Sequence, residues 1–552
     1  MAMHATLPLD LWWLICEELT TRRDFNALYN FSRVSRTMAN FALPNLYSIY
    51  ELASASADDA SIFGKQKLAI LWRAIILSSS GKTAFPYCLW MQNLKLGDLR
   101  ELLSDIAPNS DLRKRFFQGD MAPYDIEKPN TTANVATRRK RPGLDLQGII
   151  NKVGDDVTLF VKEAADRDNR AVTLTHLESH FIPRDILPVW TSRLAALMSL
   201  HIQDGSVIGE EVAVSIRDNC PRFRELTCFY CNGPTVDTGM AAFFRTLRPN
   251  SLEIFSVSSQ NHMGKEALDA LALHASSLKI LVLSGLQDRA LSNLGSLKEC
   301  VNLESLDLEA DRLTVDGWET GYPESFADTA AWLSACESLS NLKLRNVDGA
   351  SALLKIVLKA PKLRLRSLDL KLIDDASDGL YTSLGKQTSL EDFYLRSNDI
   401  QLDVASPQHT QFIDALCKLE NLRVLDIMQS TVTYGDLDML AVALKQLEEF
   451  SFDGEGLGDQ VLSSLLLMGK LKSVSINAST HFTMEGLLHF ISKVGEIREF
   501  QCGLVMAVMN QSLEAQISPE EEQFLSREAY STYGGKIEIA HPEEEHESDF
   551  SD

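Results

Sequence analysis

The sequence predicts an α/β solenoid: stacked copies of one short strand and one helix, with a parallel sheet along the concave side. Three observations carry this expectation. Leucine accounts for 81 of the 552 residues. The pattern apolar-x-x-apolar-x-apolar recurs down most of the chain. Helical periodicity follows most copies of it, as in residues 265–274 and 436–444.

The copies start at Leu197, Phe223, Leu252, Leu278, Leu303, Leu339, Leu365, Leu390, Leu422, Leu447, Leu471 and Ile497. Successive starts lie 24 to 36 residues apart, most of them 25 or 26. Alternating apolar residues give a strand with one buried face. One strand and one helix cannot bury that face alone, but stacked copies can, and they share their stability with their neighbours. The pattern resembles the leucine-rich repeat family, whose period is about 20–29 residues. That family places Asn or Cys eight residues after each start; Cys231 and Asn398 are the direct matches here. Two copies are long, with insertions near 317–325 and 401–411 that are expected as loops on one face.

Residues 7–47 have another character, reading LPLDLWWLICEELTTRRDFNALYNFSRVSRTMANFALPNLY. Pro8 sits where a helix start tolerates proline. Leu11, Ile15 and Leu19 follow at helical spacing. Asp24 is placed to cap a second helix carrying Phe25 and Leu28, and Val34 and Met38 fit a third. Three short helices make a small core, which favours packing on a partner. This stretch resembles an F-box, through Leu7-Pro8, Ile15, Leu19, Asp24, Leu28, Val34-Ser35-Arg36 and Leu46-Tyr47. The resemblance implies a surface of Leu7, Pro8, Leu11, Ile15, Leu19, Leu28 and Val34 that docks a Skp-type adaptor and, through it, a cullin scaffold. Trp12, Trp13 and Asn30-Phe31-Ser32 depart from the common pattern.

The expected organisation is therefore an F-box at 5–50 and a helical connector at 51–117. The connector includes Leu94 and Leu96 as a possible cap of the array. A flexible loop at 118–143 follows, rich in Gly, Pro, Asn and Thr, then repeats at 144–510 and an acidic, largely disordered tail at 511–552. The loop holds Arg138, Arg139, Lys140 and Arg141, a run that suits nuclear import or a solvated loop equally. The tail holds the acidic runs 520–522 and 543–545.

Charge and composition exclude several classes. A net charge of −23 disfavours long contact with nucleic-acid phosphates or an anionic membrane. No run of 18 apolar residues suggests a membrane span. Asp10, Glu17 and Glu18 break up the N-terminal apolar stretch, unlike a secretory signal. Nine cysteines in such a chain point to free thiols and a cytoplasmic or nuclear setting.

No catalytic constellation is present: no phosphate-binding loop, no G-x-S-x-G, no H-E-x-x-H. No enzyme activity, metal or cofactor is expected. Cys228 and Cys231 form a lone C-x-x-C at buried repeat positions. Cys220, Cys300 and Cys336 share a slot three residues before a start, which suits small buried side chains. Recognition is expected on the concave sheet, where residues two, four and six after each start face outward. The sixth position reads Arg345, Lys371 and Arg396 in three consecutive copies, with Lys343 and Tyr394 beside them. Such a basic column suits an acidic or phosphorylated segment of a protein target.

An F-box ahead of leucine-rich repeats is the order found in substrate receptors of SCF-type ubiquitin ligases. That resemblance implies a receptor that joins adaptor and target without bond chemistry of its own. A non-degradative F-box scaffold and a leucine-rich-repeat regulator of a small GTPase are the other classes the sequence allows.

Overall fold

The computed structural model describes residues 7–49, 62–107, 110–128, 143–169, 171–311, 318–372, 379–397, 404–497, 504–511 and 517–540. Two compact units divide the chain, Met1–Ser277 and Leu278–Asp552. Each is an α/β solenoid of parallel strands that follow one another in chain order.

The first unit opens with three helices, α1 (Leu9–Thr21), α2 (Phe25–Ser32) and α3 (Arg36–Ser48). The Asp24 side chain accepts from the amide of Ala27 and caps α2; Ser35 does the same for α3 through Met38. Their core is Cys16, Leu28 and Ala42, ringed by Leu19, Phe31, Phe41, Leu46 and Ile49. Trp12 packs on Phe31 with ring centroids 5.1 Å apart. Tyr47 then stacks on Tyr87 at 4.7 Å and meets Trp90 edge-on at 6.4 Å. These rings fasten the three helices to the first layer of the solenoid.

Among the described residues five strands follow: β1 (Asn93–Lys95), β2 (His176–Ser179), β3 (Ser199–Asp204), β4 (Glu225–Tyr230) and β5 (Ile254–Val257). Leu94, Leu177, Leu200, Leu226 and Phe255 are successive register partners, and all are buried. The expected loop at 118–143 needs correction over its first part. Residues Gly119–Tyr124 form a 3-10 helix with Met121 and Tyr124 buried. The buried Arg113 guanidinium holds Asp125 at 2.7 Å and Glu127 at 3.3 Å, and Glu127 bridges Leu144. A buried cation must be paired, so it organises the chain around it. The basic run at 138–141 lies outside the described residues.

The described residues of the second unit form ten strands. They are β6 (Ile280–Leu286), β7 (Ser305–Ala310), β8 (Asn341–Arg345), β9 (Ser367–Leu372), β10 (Asp392–Ser397), β11 (Val424–Val432), β12 (Glu449–Gly458), β13 (Ser473–His481), β14 (Val505–Gln511) and β15 (Lys536–Ile539). The repeat residues three and five after each start are buried in every described strand, from Leu281 and Leu283 to Val474 and Ile476.

Three expectations are corrected here. The copy assigned to Ile497 is displaced: Met506 and Val508 align with Val474 and Ile476. The Phe500 and Cys502 of that assignment lie outside the described residues, as does Asn398. The insertion near 317–325 is helical from Trp318, whose indole is buried, and helix Pro407–Leu416 takes up the end of the second insertion. The tail is structured over 517–540: helix Pro519–Tyr533 and β15 add a further layer. Ser518 and Glu521 form a reciprocal cap at its start. Glu520, Glu521 and Glu522 thus sit in the first turn of a helix, where negative charge is favoured by the helix dipole. Leu525, Ala529 and Tyr533 make its buried stripe.

Buried polar groups tie successive layers together. Gln387 accepts from the Leu365 amide and donates to the Leu358 carbonyl. His274 occupies the matching place between the Leu252 amide and the Phe244 carbonyl. Cys220 and Cys336 donate to carbonyls of the preceding layer. Burial pushes the thiols of Cys220, Cys300 and Cys336 up to about 12, so they serve as packing groups. Cys228 and Cys231 are fully buried beside Gly205. A methyl group on Gly205 would lie 2.4 Å from the Cys231 sulfur, so only glycine fits.

Candidate protein-interaction surfaces

Two surfaces stand out, one in each unit. The first is the outer side of α1. Trp12, Cys16 and Leu19 turn toward the helical core. Leu11, Leu14 and Ile15 fall on the opposite side and continue the line of Leu7, and all four are exposed. Val34 is 71% exposed and Tyr29 54%. Exposed apolar side chains gathered on a unit this small make a candidate interaction surface.

This placement sorts the residues assigned to the adaptor surface. Leu7, Pro8, Leu11, Ile15 and Val34 are on the outside. Leu28 is fully buried and Leu19 packs against the core, so these two hold the helices together rather than meet a partner. Leu14, 52% exposed, belongs to the surface and escaped the sequence reading. Its signal was present, since it lies three residues after Leu11. Trp13 and Leu9 are also exposed, but flank the core from another side of α1.

The second surface is the sheet face of β7 to β11. Burial alternates along β7 and β8, leaving Asp307, Glu309, Lys343 and Arg345 on the open side. Arg345, Lys371 and Arg396 are successive register partners, so the basic column exists. Its charges are not free. The Arg345 guanidinium donates to Asp369 at 3.0 Å and lies 3.7 Å from Asp307. Arg396 donates to Asp426 at 2.9 Å. Lys343 stands between Asp307 and Asp369 in register. Lys371 alone of the four cations has a cation on each side, Arg345 and Arg396. Neither lysine has an ion pair or hydrogen bond with another described side chain.

The electrostatics follow from this packing. Burial pushes the Asp307 carboxyl above its ordinary value, while Arg345 and Lys343 oppose that rise. Burial also raises the Tyr394 hydroxyl, as do the neighbouring carboxylates, beginning with Asp392. The expected positive stripe is therefore an alternating acid–base lattice with a positive centre at Lys371. The acids of that lattice were legible four residues after the starts of their own copies, at Asp307, Asp369 and Asp426.

A separate ladder runs along the start of the strands. Arg366 pairs with Glu391, and Glu448 takes both Arg423 and Lys472. Hydrogen bonds from those two cations hold the Glu448 carboxyl at about 2. In the first unit the sheet face carries Lys95 against Glu178 at 3.6 Å and His201 against Glu225 at 2.8 Å.

No group of three or more His, Cys, Asp or Glu among the described residues could hold a metal ion. No described helix is long and apolar enough to cross a membrane.

No protein-family model matches the chain, and no curated protein matches it. Among solved structures, the chain is similar to one in a crystal structure of the Rad7 and Elc1 complex in yeast. That match has 15% identity, 66% of this chain, 86% of the other and a TM-score of 0.38. A second similar structure is that of a TLR13–ssRNA13 complex, at 13% identity, 67% of this chain, 60% of the other and a TM-score of 0.29.

Proposed function

We propose that this protein is the substrate-recognition subunit of an SCF-type ubiquitin ligase. The observation that supports this reading best is the outward apolar stripe Leu7, Leu11, Leu14 and Ile15 on a three-helix unit with F-box-like residues. An isolated soluble protein gains nothing from exposing that stripe; a protein that docks a Skp-type adaptor requires it. The adaptor brings the cullin scaffold. The solenoid brings a protein target, which Lys343, Arg345, Lys371, Tyr394 and Arg396 engage through an acidic or phosphorylated segment.

In this role the chain breaks and forms no bonds. It raises the effective concentration of target lysines near a charged ubiquitin-conjugating enzyme. The solenoid suits that task because each layer is fixed by its neighbours through buried polar ties such as Gln387.

The test is capture of a Skp-type adaptor by the full-length chain. Leu11→Asp together with Ile15→Asp is expected to weaken capture by more than about a hundredfold, since each buried leucine or isoleucine contributes about 1.5–3 kcal/mol. Both positions are exposed, so the variant is expected to fold, and its thermal transition checks this. Undiminished capture would remove the reading. Ubiquitin transfer to captured proteins by the reconstituted ligase separates a receptor from a non-degradative scaffold.

A further inference from the structure

Among the described residues β15 pairs on one side, with β14, and is the last strand in its order. The Lys536 amide donates to the Leu504 carbonyl, and the Ala540 amide to the Val508 carbonyl. Alternate residues of a strand turn their backbone groups to opposite sides. Lys536, Glu538 and Ala540 therefore serve the ladder with β14, while Ile537 and Ile539 present their amides and carbonyls to the outer edge. Such an edge is a template for another strand.

Two side chains occupy it. Glu522 Oε1 accepts from the Ile539 amide at 3.1 Å, and the Ser526 hydroxyl donates to the Ile537 carbonyl. Both come from helix Pro519–Tyr533, four residues apart and so on one face of it. In a parallel ladder, one residue of an incoming strand donates its amide to the carbonyl of residue i and accepts from the amide of residue i+2. Ser526 and Glu522 make those two bonds, to Ile537 and Ile539. Together they stand in for one residue of a further strand.

The covered edge is complementary to itself. Two copies of β15 laid antiparallel about Ile537 bring Ile537 opposite Ile537 as a hydrogen-bonded pair. Lys536 of each copy then falls opposite Glu538 of the other. Both side chains lie on the face away from the buried Ile537 and Ile539. Opposite charges directly across a ladder are stabilising, and a two-fold contact of this kind closes on itself. Within one copy Lys536 pairs with Glu538 of its own strand, an exposed contact that exchanges readily for the same contact across a ladder.

We propose that the outer edge of β15 is a pairing surface for a second copy of this chain, and that Glu522 and Ser526 seal it. The seal works by hydrogen bonds rather than bulk: the helix supplies one acceptor and one donor at the two backbone groups a second copy would need. This inference is independent of the receptor reading, which concerns α1 and the sheet face.

The full-length chain carrying Glu522→Ala and Ser526→Ala tests it. In sedimentation velocity the parent is expected to run as one species at every concentration, and the double variant to shift from monomer to dimer as concentration rises. Amide exchange locates the contact. In the dilute double variant the Ile539 amide should exchange about tenfold faster than in the parent, since a hydrogen bond to a charged acceptor is lost, and it should slow again when the protein is concentrated. Glu522→Gln with Ser526→Thr keeps one acceptor and one donor and should behave as the parent. A smaller lesion gives a second measurement: a fluorescent peptide of residues 535–540, GKIEIA, should bind Ser526→Ala and not the parent. A double variant that stays monomeric, one that associates without slowing exchange at Ile539, or a peptide that binds parent and Ser526→Ala alike overturns the proposal.

Discussion

Leu11 and Leu28 are the same side chain with opposite fates. Leu28 is fully enclosed by Cys16, Ala42 and their neighbours, whereas Leu11 is 44% exposed on the far side of α1. Sequence spacing placed both on helices but could not decide which face was inward. The reason lies in α1 itself, whose LDLWWLICEEL is apolar on several sides. Two stripes at helical spacing, Trp12/Cys16/Leu19 and Leu11/Leu14/Ile15, compete for the core, and periodicity alone cannot rank them. Packing of α2 and α3 settles it. On the proposed reading, the two leucines therefore separate stability from adaptor capture. Leu28→Ala should lower unfolding free energy by about 2–5 kcal/mol, the range for a leucine truncated in a packed core. Adaptor capture per folded molecule should be unchanged. Leu14→Asp should do the reverse, leaving the thermal transition in place and removing capture. Calorimetry beside a pull-down reads both, and a Leu28→Ala variant as stable as the parent would show that the core assignment is wrong.

At the scale of elements, strands with leucine in the start position were legible and strands without it were not. Met506/Val508 and Ile537/Ile539 continue the buried rows, but glycine stands where the start leucine is expected, at Gly503 and Gly534. Gly534 is instead the left-handed end of the preceding helix, with φ of 74°. The chain used that position to stop a helix, and the repeat pattern lost its marker. The basic column was legible because register follows directly from repeat spacing; its neutralisation was not, because side-chain reach between rows is not a sequence property. Helix Leu96–Asp105 gives a further element-level consequence. Asp98 lies in its first turn, and burial pushes its carboxyl from 3.8 to about 6, with Lys95 opposing and Glu178 and Glu101 adding to the rise. The folded state thus holds a proton that the unfolded chain has released between those two values. With respect to this group, stability is greatest below about 4. It falls as pH rises toward the folded value of about 6 and is level above it. Asp98→Asn should flatten that slope and raise the urea midpoint at pH 7; an unaltered pH profile would contradict the assignment.

Across the whole molecule, stacking makes the ends of each solenoid the places where stability is set. An interior layer is covered on both sides, and a terminal layer needs something else. In the first unit the ring cluster of Tyr47, Tyr87 and Trp90 covers the start and carries the three helices. In the second unit helix Pro519–Tyr533 and β15 cover the last repeat: Met506 and Val508 are buried and aligned with Ile537 and Ile539. That layer is a cap built from a segment whose composition reads as solvated tail. Its removal is therefore informative. Deleting residues 517–552 uncovers the row at Met506 and Val508 and leaves the backbone of β14 unpaired on one side. Stability in such arrays is approximately a sum of layer and interface contributions, so the loss should be greatest next to the cut and fade away from it. Hydrogen exchange is expected to quicken most in β14 and β13 and to stay unchanged in β1 to β5. Deleting only 541–552 should leave exchange in β14 as it is, because Ala540 already completes its bond to Val508. Equal protection of β14 after the longer deletion would mean that this layer is an appendage, and the second unit would then owe its closure to the repeats alone.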